Sequence, residues 1–468
     1  MPFPALAALI WSAAFALYLH TLCPALGSGD TGELFLAGWH LDVTHPPGYP
    51  LEACLLRLAT LLPAGGLMFR AGLVSVAAGA CAVTGLFTGA RALGVRRGPA
   101  LLAAALFATA PFVWWQATLL EKYAFQLGLA ALVLSTVART SGSPFLPGLA
   151  WAMALTHHSL ALFLLPVAAA GVWERGGRAA LTPRTVGLLL GLLSLPFSLR
   201  LVYPAIRADA LHRTVAGQAR AINWGEPYQA RAWWDYHRLA YYANRFKPGV
   251  ALDRAGWRAH VGFYPAQLGW PGVLLGLAGL VLLARSRPVL AGGLGVATMA
   301  SGWFAIRFPL PPSLAPNNHQ NGFLILALAA GLAGGALLRG LLADSRWRQT
   351  IVGALLVILT AGAWQRYHRL DAGRHLAVFD LNAATLAVAP PHAVLLAMFD
   401  TDMFALRWFQ DTLGRRPDLV PLQMPHRIGP GQFIVRRRYG PWAAAVLPGA
   451  TLRFTEDDSG FVILRRII

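Results

Sequence analysis

Charged side chains are scarce in this sequence. Only 13% of its 468 residues are Asp, Glu, Lys or Arg, about half of the roughly 25% found in soluble domains. Hydrophobic residues make up 56% of the chain, and its mean hydropathy is +0.52. This composition excludes an ordinary soluble domain and predicts a protein that crosses the membrane several times.

Lysine and cysteine are also rare, and each shortage removes a class of function. Lysine occurs only at positions 122 and 247, so the net charge of +19 comes from arginines scattered through loops. Without a clustered basic patch, this charge indicates membrane topology and not nucleic-acid binding. Cys23, Cys54 and Cys81 lack the spacing of a metal site. They are expected to pack as small apolar residues, with a Cys23–Cys54 disulfide as the alternative because both are expected on one side of the membrane.

Apolar segments long enough to cross a bilayer, about 20 residues each, recur along the first 365 residues. A double-length stretch at 145–173 is expected to cross twice, as two short helices that meet at Thr156, His157 and His158. The fold class is therefore an α-helical polytopic membrane protein with about 11 transmembrane helices. No Lys or Arg precedes the first apolar run, which predicts a retained helix and not a cleaved signal peptide. The predicted spans are 4–22, 67–90, 99–116, 124–138, the two halves of 145–173, 185–204, 268–284, 288–304, 321–339 and 350–364.

The distribution of charge predicts the orientation. Short loops rich in Arg stay in the cytoplasm. With a cytoplasmic N-terminus the inner loops are rich in Arg, and of the 20 acidic residues only Glu174 and Asp344 fall on that side. Three larger segments then lie outside: the first loop (23–66), a long loop (205–267) and the tail (366–468). Together with the composition, rich in Ala, Leu and Arg, this favours a multi-pass protein of a bacterial inner membrane with an extracytoplasmic C-terminus.

The tail differs from the rest of the chain in its pattern. HAVLLAMF (392–399) and DLVPLQ (418–423) predict strands, and TDMFALRWFQDTLG (401–414) predicts a helix. The chain is thus expected to have two parts, a transmembrane domain at 1–365 and a small extracytoplasmic α/β domain at 366–468.

The first loop concentrates polar groups that can do chemistry. Its residues 27–50 read GSGDTGELFLAGWHLDVTHPPGYP and carry Asp30, Glu33, Asp42 and His45 just after an apolar span. Asp30 and Glu33, three positions apart, share one face if the segment is helical. A carboxylate here could deprotonate an acceptor hydroxyl while a lipid phosphate leaves a sugar carbon. The structural alternatives are that Asp30 only caps a helix and that His45 is only a turn residue.

Several motifs, taken in order, carry a family resemblance. They are GDTGE (29–33), HPPGYP (45–50), WxQAxxxExY (114–123), THH (156–158), NWGEP (223–227) and DTD with RPD between 400 and 418. Together they resemble a family of multi-spanning proteins, long classed as a domain of unknown function, that is associated with protein O-mannosyltransferases. Such proteins are similar to the GT-C class of membrane glycosyltransferases. Thr31 stands where the family commonly has Ser, and DTDMFALRW lacks the Pro and Tyr of the family's tail motif.

The resemblance implies an inverting glycosyltransferase that moves a hexose, mannose being favoured, from a polyprenyl-phosphate donor to a hydroxyl acceptor outside the cytoplasm. Protein Ser or Thr is the favoured acceptor, and a lipid or polysaccharide acceptor is the alternative. A polytopic transporter is the rival from another class. Transporters generally place ionisable residues in the middle of broken helices and show repeated halves, whereas the predicted spans lack acidic residues and the sequence shows no such repeat. The implied partners are the polyprenyl-phosphate sugar donor, a protein or glycan acceptor and the lipid bilayer, without nucleic acid. No cofactor is implied, and dependence on a divalent cation is left open.

The resemblance places the catalytic base at Asp30, with Glu33 as a second base or a substrate-orienting group. Candidates for binding the phosphate or the sugar are expected at or near the outer face; they are His45, Tyr49, Glu121, Lys122, Tyr123, His157, His158, Arg207, Asn223, Trp224 and His319. No metal site is expected, because two adjacent histidines make a poor one.

Structural alternatives stand beside these roles. His157 and His158 could only bond the backbone where two helices meet, and Glu121 with Tyr123 could only face the membrane interface. Asp400 and Asp402 are interpreted as the N-cap of a helix that follows a strand.

Overall fold

The structure is a computed structural model. It describes residues 3–213, 224, 227–240, 254–308, 315–342, 344–397, 400–423, 433–437, 451–456 and 461–467. Helices dominate these ranges, and the strands lie near the C-terminal end of the chain.

The first half of the chain folds into ten helices. They are α1 (Phe3–His20), α2 (Thr31–His40), α3 (Pro50–Thr60), α4 (Leu67–Ala92), α5 (Arg97–Ala108), α6 (Pro111–Thr118), α7 (Lys122–Ala138), α8 (Phe145–His157), α9 (Leu165–Gly176) and α10 (Pro183–His212). A 3-10 helix, Ser159–Leu164, separates α8 from α9. The helices α3 and α6 begin with Pro, which has no N–H to leave unpaired in the first turn.

Seven further helices and five strands follow within the described residues. They are α11 (Ala230–His237), α12 (Arg254–Ser286), α13 (Pro288–Arg307), α14 (Gln320–Leu341), α15 (Ser345–Leu370), α16 (Ala377–Val388), β1 (Val394–Ala397), α17 (Asp400–Leu413), β2 (Val420–Gln423), β3 (Phe433–Arg437), β4 (Thr451–Glu456) and β5 (Phe461–Ile467). Short 3-10 helices lie at Gly177–Leu181, Ala315–His319 and Ala372–Arg374.

Eight helices in the described ranges are long and apolar enough to cross a bilayer. A ninth span results if α5 and α6, which meet at an angle of 61°, count together. One shorter apolar helix, α7 with 17 residues, is a further candidate, and the expected number of about eleven spans stays a prediction. The protein is therefore a multi-pass helical membrane protein, as its composition predicts. At about 1.5 Å per residue, α8 is roughly 20 Å long and shorter than the hydrocarbon core.

The predicted break within 145–173 is present. The helix α8 ends at His157, and His158 is extended (φ −144°, ψ 139°) before the 3-10 helix begins. Arg287, just before α13, ties together the C-terminal ends of α7 and α9. It donates to Glu174 of α9 (Nε to Oε2, 2.7 Å) and to the carbonyl of Val137 of α7 (2.8 Å). The ends of α7 and α9 therefore lie together on one face, which we call the arginine face, and the chain leaves that face and returns to it between 139 and 175.

Close helix packing in the interior depends on small residues. A Cβ at Gly279 of α12 would overlap the carbonyl oxygen of Ala329 in α14. Only glycine lets these two backbones approach so closely, which is a common way of packing membrane helices.

The five strands form one sheet in the order β2-β1-β3-β5-β4. The strand β1 pairs in parallel with β2 and β3, whereas β3, β5 and β4 are antiparallel. The strand, helix and strand expected in the tail appear as β1, α17 and β2. The helix α17 packs on α2, where Phe35 and Trp408 meet edge to face at 6.2 Å, so the tail lies directly on the first loop. The boundary expected at residue 365 stays a prediction, since α15 continues to Leu370.

The alternative of a Cys23–Cys54 disulfide is wrong. All three cysteines are free. Cys23 is buried beside Leu119 and Ala372, and its thiol faces the carbonyl of Ala25 at 3.3 Å, which is the packing role of a small apolar residue.

Candidate active site

The site is organised around the start of α2. Gly29 has φ +76°, and a Cβ at this position would overlap Glu121 Oε1, so the turn requires glycine. Asp30 occupies the N-cap position, yet its side chain makes no capping hydrogen bond. The interpretation of Asp30 as a simple helix cap is therefore wrong, and its carboxylate is available for another contact.

That contact is an ion pair with Lys122. Lys122 Nζ lies against Asp30 Oδ2, and the Lys122 side chain is only 4% exposed whereas that of Asp30 is 31% exposed. Burial alone would raise the pKa of Asp30, but the positive charges of Lys122 and His45 outweigh it and lower this pKa to about 2. Asp30 is thus an ionised carboxylate whose side chain is partly exposed.

Glu33 holds the HPPGYP turn in place. Its Oε1 accepts the backbone N–H of His45 and its Oε2 faces His45 Nδ1, both at 2.7 Å. His45 Nε2 in turn lies 2.9 Å from the hydroxyl of Tyr49 and 3.9 Å from Asp30 Oδ2. Burial would lower the pKa of His45, but the charges of Glu33 and Asp30 raise it overall. Both Glu33 oxygens are occupied, an arrangement that suits an orienting group better than a second base.

Glu121 and Tyr123 flank Lys122 where α7 begins. Glu121 Oε1 accepts the backbone N–H of Asp30 at 2.9 Å, and its Oε2 lies 3.7 Å from Lys122 Nζ. Burial raises the pKa of Glu121 to about 7, although Lys122 opposes that shift. The Lys122 ammonium stands over the ring of Tyr123, 4.6 Å from its centroid, and 5.7 Å from that of Tyr49. Glu121 is only 8% exposed, so it does not face the membrane interface.

The two histidines at the helix break close the site from behind. His157 is fully buried, with Nε2 3.0 Å from the carbonyl of Lys122. His158 Nδ1 accepts the N–H of Leu160 at 3.1 Å, and its ring stacks on Tyr49 at 5.8 Å. Each histidine therefore contacts a backbone group, as expected if the two only stabilise the helix break. Their rings also pack against Tyr49, next to the Asp30–Lys122 pair.

Sequence reasoning missed two residues of this region. Glu52 is completely buried, 3.9 Å from His157, and burial raises its pKa to about 8. Neither of its oxygens has a hydrogen-bond partner among the described residues. Arg200 is 6% exposed and donates to the carbonyl of Leu155 and, at 2.8 Å, to Ser159 Oγ, so it braces the helix break. A charged residue within the predicted span 185–204 was the available signal for Arg200.

Some candidates lie elsewhere. His319 is in a separate cluster, with Nε2 2.8 Å from His260 Nδ1 and Nδ1 3.1 Å from the hydroxyl of Tyr264. Arg207 donates to the carbonyls of His40 and Leu41 and so closes the C-terminal end of α2.

The remaining candidates come from the long loop and the tail. Trp224 reaches the site only at its edge, its ring 6.2 Å from that of His45. Asn223 lies outside the described residues. Asp400 and Asp402 fall in the first turn of α17.

One group in the described ranges could hold a metal ion. The ligand atoms of Asp30, Glu33 and His45 all lie within 4.8 Å of one another, and three such ligands with an open position suit a divalent cation. In the present arrangement Lys122 occupies the Asp30 carboxylate and His45 occupies Glu33. A cation would have to replace the Lys122 ammonium, so the residues present favour an internal salt bridge over metal binding.

Known proteins share parts of this chain. Residues 30–175 match the family described as Protein O-mannosyl-transferase TMEM260 N-terminal domain. The curated Protein O-mannosyl-transferase TMEM260 of Mus musculus is 31% identical over 131 residues, which are 28% of this chain and 19% of the mouse protein. The aligned stretch thus spans about a fifth of that relative. The predicted family resemblance is confirmed for this region, which contains most of the site.

Solved structures share the whole fold. The crystal structure of ArnT from Cupriavidus metallidurans bound to undecaprenyl phosphate has a TM-score of 0.61 at 13% identity and covers 99% of this chain and 98% of that one. Its apo state has a TM-score of 0.59 at 13% identity, with 98% of each chain covered. The predicted GT-C-like fold is therefore confirmed.

Proposed function

We propose that this protein is an inverting membrane glycosyltransferase with Asp30 as its catalytic base. The observation that carries the proposal is the contact between Asp30 and Lys122, in which a partly exposed carboxylate meets a buried ammonium. Transfer from a sugar phosphate needs both charges, because a base must accept the proton of the attacking hydroxyl and a cation must stabilise the departing phosphate.

The reaction follows from this pair. The acceptor oxygen attacks the anomeric carbon from the side opposite the phosphate, the carbon–oxygen bond to the phosphate breaks, and the acceptor proton passes to Asp30. The transition state resembles the oxocarbenium ion of glycosidases, and a single displacement inverts the anomeric configuration. General-base help of this kind contributes about 10²–10⁴-fold to the rate.

Lys122 and His45 provide the positive charge for the phosphate. When the donor phosphate takes the place of Asp30 as the partner of Lys122, the Asp30 carboxylate loses its nearest cation and becomes a stronger base. His45, whose pKa is raised by Glu33 and Asp30, supplies a second charge-assisted donor. The binding of the donor thereby prepares the base for the acceptor.

The donor is a polyprenyl-phosphate hexose, with mannose favoured, and the acceptor is a Ser or Thr hydroxyl of a protein. An ArnT crystallised with undecaprenyl phosphate shares the fold, and the mouse relative bears the name of an O-mannosyl-transferase. Both names support the proposal. We further propose a bacterial inner membrane with the N-terminus in the cytoplasm. The site, the tail and the C-terminus then lie outside, opposite the arginine face.

The test is sugar transfer by the purified protein. Polyprenyl-phosphate-mannose and polyprenyl-phosphate-glucose, each radiolabelled, are incubated with bacterial membrane proteins and with the wild type, Asp30→Asn or Asp209→Asn. Asp209 of α10 is a partly exposed carboxylate paired with Arg213, which follows the helix, and it serves as the matched control. We expect the wild type and the control to transfer label, and Asp30→Asn to lose transfer by about 10²-fold or more.

Each outcome has a defined meaning. Equal transfer by Asp30→Asn and the wild type would remove Asp30 from the mechanism. Label found in lipid or glycan and not in protein would show that the acceptor is a lipid or glycan and not a protein hydroxyl. No transfer by a folded wild type from either donor would overturn the proposed activity and favour a transporter, which donor uptake into vesicles would then reveal.

A further inference from the structure

One peptide group in the site is held at both of its ends. The carbonyl of Gly29 accepts a hydrogen bond from Thr401 Oγ1 at 2.9 Å. The N–H of Asp30 donates to Glu121 Oε1, also at 2.9 Å. The Gly29 carbonyl and the Asp30 N–H belong to the same planar unit. This unit therefore joins three parts of the chain that are 91 and 372 residues apart in sequence.

The orientation of this unit decides where the Asp30 carboxylate points. Asp30 has φ −89° and ψ 11°, and Gly29 has a positive φ of 76°. A glycine in this region imposes little conformational restriction of its own. The two hydrogen bonds supply the missing restriction, because rotation of the peptide plane would break one or both of them. The Asp30 side chain leaves the backbone next to this fixed plane.

Thr401 is itself held firmly against α2. It lies in the first turn of α17, which starts at Asp400. One turn later, a Cβ at Gly32 would lie only 3.0 Å from the backbone of Phe404. His40 and Asp411 also approach to 3.4 Å at the far end of the two helices. The whole of α2 thus rests on α17, and the Thr401 hydroxyl has a defined position relative to Gly29.

We propose that Thr401 is a positioning residue for Asp30, so that the tail completes the transfer site. The inference rests on the proposed function, in which Asp30 is the base. It also gives Thr401, the central residue of the Asp-Thr-Asp sequence at 400–402, a role in the site.

The test compares three variants of the full-length protein. Thr401→Val removes the hydroxyl and keeps the shape, whereas Thr401→Ser keeps the hydroxyl. Thr385→Val is the matched control, since Thr385 in α16 donates only to Leu381 of its own helix among the described contacts. We expect Thr401→Val to lower kcat about tenfold with KM for polyprenyl-phosphate-mannose within about twofold, because a misplaced base slows the chemical step. Thr401→Ser and Thr385→Val should retain kcat.

A second readout does not depend on activity. Hydrogen–deuterium exchange of the backbone segment that contains Asp30, measured in nanodiscs, reports how firmly the peptide group is held. We expect exchange there to become several-fold faster in Thr401→Val and to stay unchanged in Thr401→Ser and Thr385→Val.

The two readouts separate the two proposals. Faster exchange with lower kcat supports the positioning role. Unchanged exchange in Thr401→Val overturns it, as does unchanged kcat in an active protein. If the wild type transfers no sugar while Thr401→Val still speeds hydrogen–deuterium exchange at Asp30, the proposed function is overturned. The structural link between the tail and the first loop would then still hold.

Discussion

The ammonium of Lys122 contacts the carboxylate of Asp30 across 92 positions of sequence. The two residues come from the start of α7 and from the turn before α2, and they place opposite charges side by side at one end of the helix bundle. A buried cation of this kind persists only where a carboxylate or a similar anion faces it. Their contact therefore links the electrostatics of the site directly to its proposed chemistry.

Replacement of Lys122 should change the acidity of Asp30. In Lys122→Ala, burial is no longer outweighed by the nearest positive charge, so the pKa of Asp30 should rise from about 2. The carboxylate is a base only when ionised, and the acid limb of the transfer rate should therefore move to higher pH. Transfer at pH 7 should fall about 10²-fold or more because the phosphate also loses its cation. A pH–rate profile checks this, and an unmoved acid limb would contradict the ion pair as the cause.

The turn at Gly29 allows a controlled comparison. Gly29→Ala places a methyl group against Glu121 Oε1, whereas Gly94→Ala puts one at a similar φ of +82° with nothing within 4 Å. Both variants carry the backbone strain of a positive φ, about 1 kcal/mol. Only Gly29→Ala should disturb Asp30, so its transfer rate should be at least about tenfold below that of Gly94→Ala. Equal rates for the two variants, at equal thermal stability, would contradict this reading of the turn.

Glu33 should control the alkaline limit of activity. Its charge raises the pKa of His45, so His45 keeps its proton, and its usefulness to a phosphate, up to a higher pH. In Glu33→Gln that support is lost, and transfer should decline at lower pH than in the wild type. The control is His40→Gln, at the opposite end of α2, which should leave the alkaline limb in place. A profile that is the same for Glu33→Gln and the wild type would exclude His45 as the titrating donor.

Glu52 should make stability depend on pH. Its pKa is raised from 4.5 to about 8 in the folded protein, so the folded state retains a proton that the unfolded state loses. Its contribution to stability is complete below about pH 4.5 and is lost as the pH rises to 8. Glu52→Gln, which cannot ionise, should match the wild type at pH 5 and exceed its free energy of unfolding by about 1–4 kcal/mol at pH 8. Thermal melts at both pH values measure this, and a constant difference between them would contradict the assignment.

Local patterns predicted much of the architecture. Hydropathy placed the spans, the His157-His158 dipeptide marked the break between α8 and the 3-10 helix, and alternating apolar segments placed β1, α17 and β2. These features depend on residues close in sequence, for which period and composition are strong guides. The helix predicted to start near Asp30 is α2, which contains Glu33 and has Asp30 as its N-cap residue.

Contacts between distant segments were less accessible. The sequence around Glu52 resembles that around many exposed acidic residues. The packing of α3 against α2, α4, α8 and α10, which are distant or separate elements, buries it. His319 is predicted near the outer face, as His45 is, yet its neighbour is His260 of α12 and not the Asp30 cluster. The hydrogen bond between Thr401 and Gly29 spans 372 positions, and no local signal specifies such a pairing.

The sheet of the tail has a proline in one of its edge strands. Among the described strands, β2 lies at an edge, and Pro421 sits within it, in register with Leu395 of β1. Proline has no N–H to donate, so this edge offers an interrupted ladder to any further strand. Prolines at such edges are one way in which natural sheets limit pairing with a further strand, and Pro421 occupies that position in β2.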